Sequence, residues 1–180
     1  EDVTTVEDLR NVRMEGSAVD YNGNGDTEEG IYFEIEGLQG SPLAAIQAYA
    51  SEVAGAAIGY NPAAYPYFFI DTNGNGTLEE DEATCPNAYA SWTPRLVKAA
   101  YNYQTSIKDP GSYVHGGKYI IQLLYDSIAD LNQAIAEPVD QSAMRRIDSG
   151  HFAGSEEAFR HWDEEGVVPG SCTKCHQADG

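Results

Sequence analysis

The pentapeptide Cys172-Thr-Lys-Cys175-His176 constrains this chain more than any other feature, because Cys-x-x-Cys-His is the pattern of a c-type haem attachment site. Two thiols at this spacing add to the two vinyl groups on one edge of a porphyrin. The adjacent histidine then lies under the ring, where its imidazole reaches the iron. The pattern therefore predicts haem c bound through Cys172 and Cys175, with His176 as an axial ligand.

Three alternative interpretations of the pair of cysteines are weaker. A thioredoxin-like redox pair needs a βαβ context, which the surrounding sequence lacks. A zinc site needs further ligands; Cys85 or another histidine is available, but no standard spacing occurs. A disulfide between residues at this spacing would be strained. The three cysteines are an odd number and do not form a disulfide framework.

The second axial ligand of the iron is open among several residues. His161 and His151 precede the motif closely and are favoured; His115 is a third candidate, and Met14 and Met144 come after it. Two histidine ligands would leave no open coordination position, which is typical of electron transfer rather than small-molecule chemistry.

The segment 71–82, here called the second loop, matches all twelve positions of an EF-hand calcium loop. Gly76 provides the sharp turn and Leu78 the apolar eighth position. The alternative is a simple Asn-Gly turn, but hard oxygen donors in this order favour calcium. The predicted ligands, in order, are Asp71, Asn73, Asn75, the Thr77 carbonyl, Glu79 and Glu82.

The segment 20–31, here called the first loop, matches only the first half of the same pattern, through Asp20, Asn22, Asn24 and Asp26. Position nine is Glu28, and position twelve is Ile31 instead of glutamate. Glu34, one turn into the next helix, is the candidate substitute. The alternative is a rigid acidic turn. Neither loop is accompanied by a Met-rich groove, so we expect structural clamps rather than sensors.

Apolar periodicity predicts a mainly α fold with little sheet. Ser41 before Pro42 is a candidate N-cap, and residues 55–69 are predicted as loop or extended chain, with a short strand over 67–70. We predict a helical domain over 1–136 with both loops and a haem-binding segment over 137–180. The predicted helices cover residues 6–14, 31–53 with a break near Gly40, 93–108, 112–135 and 155–165.

The 180 residues carry a net charge of −19, with 29 acidic and 10 basic side chains. Such a surface repels nucleic acid and anionic lipid and suits cations or basic partners, although high charge also simply favours solubility. No run of 18 apolar residues occurs, so no transmembrane helix is predicted. The chain begins at Glu1, as expected of a mature or excised product.

Four segments resemble exported multihaem c-type cytochromes of metal-reducing bacteria: residues 65–76, 92–103, 118–128 and 150–176. The resemblance covers most of the chain. It implies electron transfer in the periplasm or at the outer surface, more than one haem, and neighbouring haems or redox proteins as partners. It implies an electron carrier rather than an enzyme.

The chain departs from these cytochromes in having one Cys-x-x-Cys-His, and it stops four residues after His176. We therefore expect a fragment of a longer cytochrome, or a chain whose remaining haem contacts come from another subunit. Cys85 has no role in the resemblance and is expected to be a buried or adventitious thiol. A calcium-stabilised binding or assembly module is the alternative function. A haem enzyme would need an open coordination site, which the sequence does not indicate.

Overall fold

The computed structural model describes residues 3–13 and 19–146, and it divides the chain into two compact units at Arg146/Ile147. The described residues contain six helices: α1 (Val6–Arg10), α2 (Ile31–Leu38), α3 (Gly40–Tyr49), α4 (Pro94–Lys108), α5 (Ser112–His115) and α6 (Gly117–Asn132). A π-helical turn over Ala50–Ala54 extends α3, and a short 3₁₀ turn covers Cys85–Asn87. The predicted mainly helical fold is confirmed at this level.

Helix α6 forms the centre of this unit, because α2, α3, α4 and α5 all pack against it. Its apolar stripe repeats at three- and four-residue intervals, as expected of a helix that is buried along one face. Polar contacts join α4 to α6, including the ion pair from Arg95 to Asp130 at 3.3 Å and the hydrogen bond from Asn102 to Ser127 at 3.0 Å. The fully buried leucine and isoleucine side chains of these helices are Leu38, Ile46, Leu96, Ile121, Leu124, Ile128 and Leu131.

A two-stranded antiparallel hairpin, β1 (Ile58–Tyr60) and β2 (Phe68–Ile70), lies between α3 and α4 in the sequence. The register pairs Ile58 with Ile70 and Tyr60 with Phe68. The predicted strand over 67–70 is confirmed as β2, whereas β1 falls in a stretch predicted as loop or extended chain. The second loop begins at the residue after β2, so a strand rather than a helix leads into it.

Several predicted helix boundaries are wrong, each for a local reason. Helix α3 begins at Gly40 because Gln39 keeps a helical conformation (φ −60°, ψ −29°), so Ser41 is not the N-cap and Pro42 lies within the first turn. The helix predicted over 112–135 is broken at Gly116 (φ −133°, ψ 16°) and ends at Asn132. Helix α1 ends at Arg10, before the predicted residue 14.

Apolar periodicity predicts that the buried side of α4 consists of Leu96, Val97, Ala100, Tyr101 and Ile107, but Val97 is 48% exposed and Tyr101 is 73% exposed. The buried face instead follows Leu96, Ala99 and Tyr103, because α4 packs against both α3 and α6. Thr93 caps the helix, accepting a hydrogen bond from the Leu96 N–H at 3.2 Å, and this helix start is as predicted.

The segment after α6, up to and including Arg146, packs on this helical unit. The Asn132 amide donates to the Val139 carbonyl at 2.9 Å, and Met144 is buried. The Arg145 N–H donates to the Tyr21 carbonyl at 3.1 Å, so the segment contacts the first loop. Residues 137–146 therefore lie with the helical unit, while the functional division at 136/137 stays a prediction.

Candidate metal centre

The second loop is folded around the Asp71 carboxylate, which is 4% exposed. Its Oδ1 accepts from the Gly74 N–H and its Oδ2 from the Gly76 N–H, both at 2.7 Å. Gly74 and Gly76 have φ of 69° and 81°, in the left-handed region that favours glycine. One aspartate at the first position thereby sets the backbone of the whole turn.

The two asparagines of the second loop continue this pattern. Asn73 Oδ1 accepts from the Asn75 N–H at 2.9 Å, and Asn75 Oδ1 accepts from the Thr77 N–H at 2.7 Å. Both amide groups donate through Nδ2 to Glu79, at 3.1 and 2.8 Å. The structure thus brings Asn73, Asn75 and Glu79 together, whereas their role as metal ligands stays a prediction. The Thr77 carbonyl as a ligand stays a prediction.

Glu82 closes the second loop from its far end and is 7% exposed. Its Oε1 accepts from the Thr72 hydroxyl and from the Thr72 N–H at 2.8 Å, and its Oε2 accepts from the Glu79 N–H at 3.1 Å. The Thr72 hydroxyl, followed by the Glu79 contacts, lowers the pKa of Glu82 to about 2. The side chain is therefore a carboxylate at neutral pH, as a calcium ligand must be.

Residues outside the second loop hold its ends, and no sequence pattern indicates Asn87, which contacts both ends. The Asn87 amide donates to the Ile70 carbonyl at 2.7 Å and to the Glu82 carbonyl at 2.8 Å. Gln47 of α3 donates to the Gly76 carbonyl at 2.9 Å. Leu78 packs over Gly59 of β1, which is why the eighth position is apolar.

The first loop repeats the same hydrogen-bond layout. Asp20 accepts from the Gly23 N–H at 2.6 Å and the Gly25 N–H at 2.7 Å, and these glycines have φ of 83° and 93°. Asn22 Oδ1 accepts from the Asn24 N–H at 2.9 Å, and Asn24 Oδ1 accepts from the Asp26 N–H at 2.7 Å. The first half of the motif therefore folds in the same way in both loops.

The acceptor for the two asparagine amides of the first loop is Glu29 and not Glu28. Glu29 Oε1 accepts from Asn22 Nδ2 at 2.6 Å and from Asn24 Nδ2 at 2.9 Å. Glu28 is exposed, and its backbone N–H donates to Asp26 at 2.8 Å. Glu29 thus has the hydrogen-bonding role that Glu79 has in the second loop. Counting positions from Asp20 cannot reveal this, because the glutamate that contacts the asparagines is the tenth residue of the first loop and the ninth residue of the second.

Glu34 of α2 contacts the first loop as Glu82 contacts the second. It is fully buried, and its Oε2 accepts from the Tyr21 N–H at 2.9 Å and the Asn22 N–H at 3.0 Å. Glu82 accepts from the equivalent second-position N–H, that of Thr72. Burial raises the pKa of Glu34, and its hydrogen bonds oppose that rise.

The donor atoms of both loops are carboxylate and amide oxygens, which fit Ca²⁺ better than softer metals. In the part of the chain that the structure describes, no three His, Cys, Asp or Glu side chains are grouped as around a metal ion. The carboxylates instead accept from backbone N–H groups and side-chain amides. Any metal in these loops would depend on the asparagine and main-chain oxygens as well as on the acids.

The predicted haem ligands lie outside the described residues: Cys172, Cys175, His176, His161 and His151, together with the predicted helix over 155–165. His115, the remaining histidine candidate, is exposed at the end of α5. Met144, a secondary candidate, is buried at 9% exposure. Cys85 is a free and exposed thiol; of the two expectations, a buried or an adventitious thiol, the buried one is wrong.

The chain is similar to multihaem cytochromes. It is 32% identical to the C-type polyheme cytochrome OmcC of Geobacter sulfurreducens over 137 residues, 68% of this chain and 17% of that protein. It is 32% identical to the C-type polyheme cytochrome OmcB of the same species over 121 residues, 59% of this chain and 16% of that protein. The chain thus spans less than a fifth of the length of these relatives.

This similarity supports the multihaem c-type cytochrome family that the sequence resembles. No protein-family model matches the chain, and no solved structure matches it. Among the helices within residues 3–13 and 19–146, none has both the length and the apolar character of a membrane span.

Proposed function

We propose that this chain is part of a c-type cytochrome that transfers electrons outside the cytoplasm. The observation that carries the proposal is the Cys172–His176 motif in a chain similar to two polyheme cytochromes. Cys172 and Cys175 would hold the porphyrin and His176 would bind the iron. The bound haem supplies an iron that gains and loses single electrons.

The proposal extends to the surroundings of the haem. A second histidine, His161 or His151, completes a six-coordinate iron, and electrons pass to neighbouring haems or redox proteins. Those neighbours belong to the rest of a longer chain or to other subunits. Export to the periplasm or the outer surface follows from the resemblance to exported cytochromes.

The absorption spectrum of the reduced protein tests this proposal. The chain is expressed with a haem c attachment system, and the spectrum is recorded on the folded, reduced protein. A second sample is denatured, and the covalently retained haem is measured. We expect one retained haem with a sharp low-spin α band, and loss of the retained haem in the double variant Cys172→Ala/Cys175→Ala. A chain that retains no haem, or a high-spin spectrum that shifts with added ligands, contradicts the proposal.

Single histidine variants identify the second axial ligand. His161→Ala or His151→Ala should convert the iron to a high-spin form, while His115→Ala is the matched control. If His115→Ala alone changes the spin state, the assignment of His161 and His151 is wrong.

We further propose that both loops bind structural Ca²⁺. The supporting observation is the repeated layout, in which Asp20 and Asp71 hold the turn and Glu34 and Glu82 close it. Should the chain retain no haem, a calcium-stabilised assembly module becomes the better function.

Calcium titration by calorimetry tests the loops one at a time. Glu82→Gln should weaken binding at the second loop by at least about tenfold, which corresponds to about 1.4 kcal/mol. Glu80→Gln, on the exposed neighbour, is the control. At the first loop the matched pair is Glu34→Gln and Glu36→Gln, with Glu36 exposed on the same helix. Equal affinities within each pair would contradict the proposed ligands.

A further inference from the structure

The chain segment before the first loop lies directly against its end. The Val12 carbonyl accepts from the Ile31 N–H at 3.1 Å, where α2 begins. A Cβ atom on Gly30 would lie 1.9 Å from the Arg10 carbonyl oxygen, so only glycine permits this approach. These two contacts fix the position of the next residue, Arg13, beside the loop.

The guanidinium group of Arg13 reaches into the first loop. Its Nη1 donates to Glu34 Oε1 at 3.1 Å and also to the Glu29 carbonyl, while its Nη2 donates to the Val19 carbonyl. The Arg13 side chain is 17% exposed and that of Glu34 is 0% exposed. A charged group therefore joins the glutamate of α2 to the backbone near both ends of the loop.

The second loop is closed differently. Its donors to Glu82 in the described part of the chain are the Thr72 hydroxyl and N–H and the Glu79 N–H, all of which are neutral. The two loops share their aspartate, asparagine and glycine positions but differ in the charge that faces the closing glutamate. Among the residues that the structure describes, Glu34 has a cationic partner and Glu82 has none.

We infer that the Arg13 guanidinium group neutralises Glu34 when the first loop holds no calcium. Ca²⁺ must then displace this group from Glu34 in order to bind. A bidentate carboxylate ligand uses both oxygens, and the guanidinium group occupies Glu34 Oε1. The first loop consequently keeps its shape without calcium and binds calcium more weakly than the second loop. The calcium part of this inference rests on the function proposed above.

The test compares Arg13→Gln with the control Arg10→Gln in the full chain, each with Glu82→Gln to weaken calcium binding at the second loop. Arg10 lies in the same segment, but its ion pair is with Glu7, at 3.7 Å, and its guanidinium group lies over the Tyr32 ring of α2, 4.7 Å from the ring centroid. Calcium affinity is measured by calorimetry, and the melting temperature is measured in EGTA and in excess Ca²⁺. A further variant, Arg13→Lys, keeps the charge and preserves folding if the glutamine variant does not fold.

Arg13→Gln should raise the calcium affinity of the first loop by about tenfold or more, because Glu34 is then free to bind the ion. It should lower the melting temperature in EGTA by about 5 °C or more, with recovery in excess Ca²⁺. Arg13→Lys should give intermediate values. Arg10→Gln should leave the calcium affinity unchanged and lower the melting temperature by less than Arg13→Gln does, since it removes only the contact with Tyr32 and the ion pair with Glu7.

Two results would overturn the inference, and they are distinguishable. If the parent and Arg13→Gln bind calcium at the first loop with equal affinity, displacement is wrong and the proposed calcium site stands. If neither binds calcium at the first loop, the site and the displacement are both wrong. The EGTA melting temperatures then still report whether Arg13, unlike Arg10, stabilises the loop.

Discussion

Asn87 shows how one side chain can join the two ends of a loop. Its amide donates to the Ile70 carbonyl before the second loop and to the Glu82 carbonyl at its end. No other described contact in the loop spans both ends in this way through a single donor atom, and the residue itself lies in the 3₁₀ turn beyond the motif. Asn87 therefore positions Glu82 without being a ligand.

Replacing Asn87 by alanine should destabilise the protein by about 2 kcal/mol, since each of the two lost hydrogen bonds contributes about 1 kcal/mol. It should also weaken calcium binding at the second loop. Urea denaturation with and without calcium measures both effects. Asn11→Ala, which removes an exposed bond within α1, is the control and should stay within about 0.5 kcal/mol. Equal losses for the two variants would contradict the role of Asn87.

Ionisation of the buried Tyr60 should lower the stability of the protein at alkaline pH. Its ring packs against Phe68 and Tyr103, with centroids 4.8 and 5.0 Å apart, and burial raises its pKa to about 12. An unfolded chain ionises tyrosine near 10, so the stability contributed by neutral Tyr60 is present below pH 10. It is lost as the pH rises toward 12.

Absorbance titration of the wild type and Tyr60→Phe, near 295 nm, isolates this group among the 12 tyrosines. The difference curve should have a midpoint well above 10, and unfolding in alkali should begin at a higher pH for Tyr60→Phe. A difference curve centred at 10 would show that the ring is not buried in solution.

Some site residues were predictable from the sequence and others were not. The spacing of Asp71, Asn73 and Asn75 identifies the second loop, because the turn is built from local hydrogen bonds within that segment. Glu29 replaces the predicted Glu28 because the shift of one residue arises in the packing of the chain onto α2. Arg13 and Asn87 reach the loops from outside them, and such contacts leave no local pattern.

At the scale of elements, the hairpin is what attaches the second loop to the helices. Strand β2 leads directly into the loop, and Leu78 at the eighth position packs over Gly59 of β1. The sequence Ile58-Gly-Tyr60 does not predict a strand, because it is short and has glycine, which is depleted in strands, at its centre. It becomes strand β1 because it pairs with β2. Similarly, the break at Gly116 divides a helix that periodicity alone predicts as continuous.

Gly59→Ala tests the contact between hairpin and loop. Its Cβ would lie 2.8 Å from Leu78 Cβ, so the side chain of Leu78 must move, at a cost of about 1–3 kcal/mol. Gly40→Ala is the matched control, because a Cβ there meets no atom within 4 Å. Thermal denaturation should show a lower melting temperature for Gly59→Ala alone. An unchanged Gly59→Ala protein would mean that Leu78 does not pack on β1.

At the scale of the whole molecule, the two loops of the helical unit are held by different sets of contacts. The first loop contacts α2 through Glu34 and the segment after α6 through the bond from Arg145 to Tyr21. The second loop contacts the hairpin, Asn87 and Gln47. The mainly helical architecture was predictable from periodicity, whereas this distribution of contacts depends on packing between distant segments.

Removal of calcium should loosen the second loop before the first. Without the ion, the acids of residues 71–82 repel one another, whereas Arg13 still neutralises Glu34. Limited proteolysis with a glutamate-specific protease in EGTA, followed by mass spectrometry, should show early cleavage after Glu79 or Glu80. Added Ca²⁺ should suppress it. Cleavage after Glu28 or Glu29 at an equal rate would contradict this order.

The bond from the Arg145 N–H to the Tyr21 carbonyl has a mechanical consequence. A pulling force applied beyond Arg146 reaches two attachments before the end of α6 at Asn132: the ion pair from Arg146 to Asp126 of α6, at 2.8 Å, and this bond. The first loop therefore shares this load with α6, and we expect its part of the resistance to fall when Arg13 no longer holds Glu34.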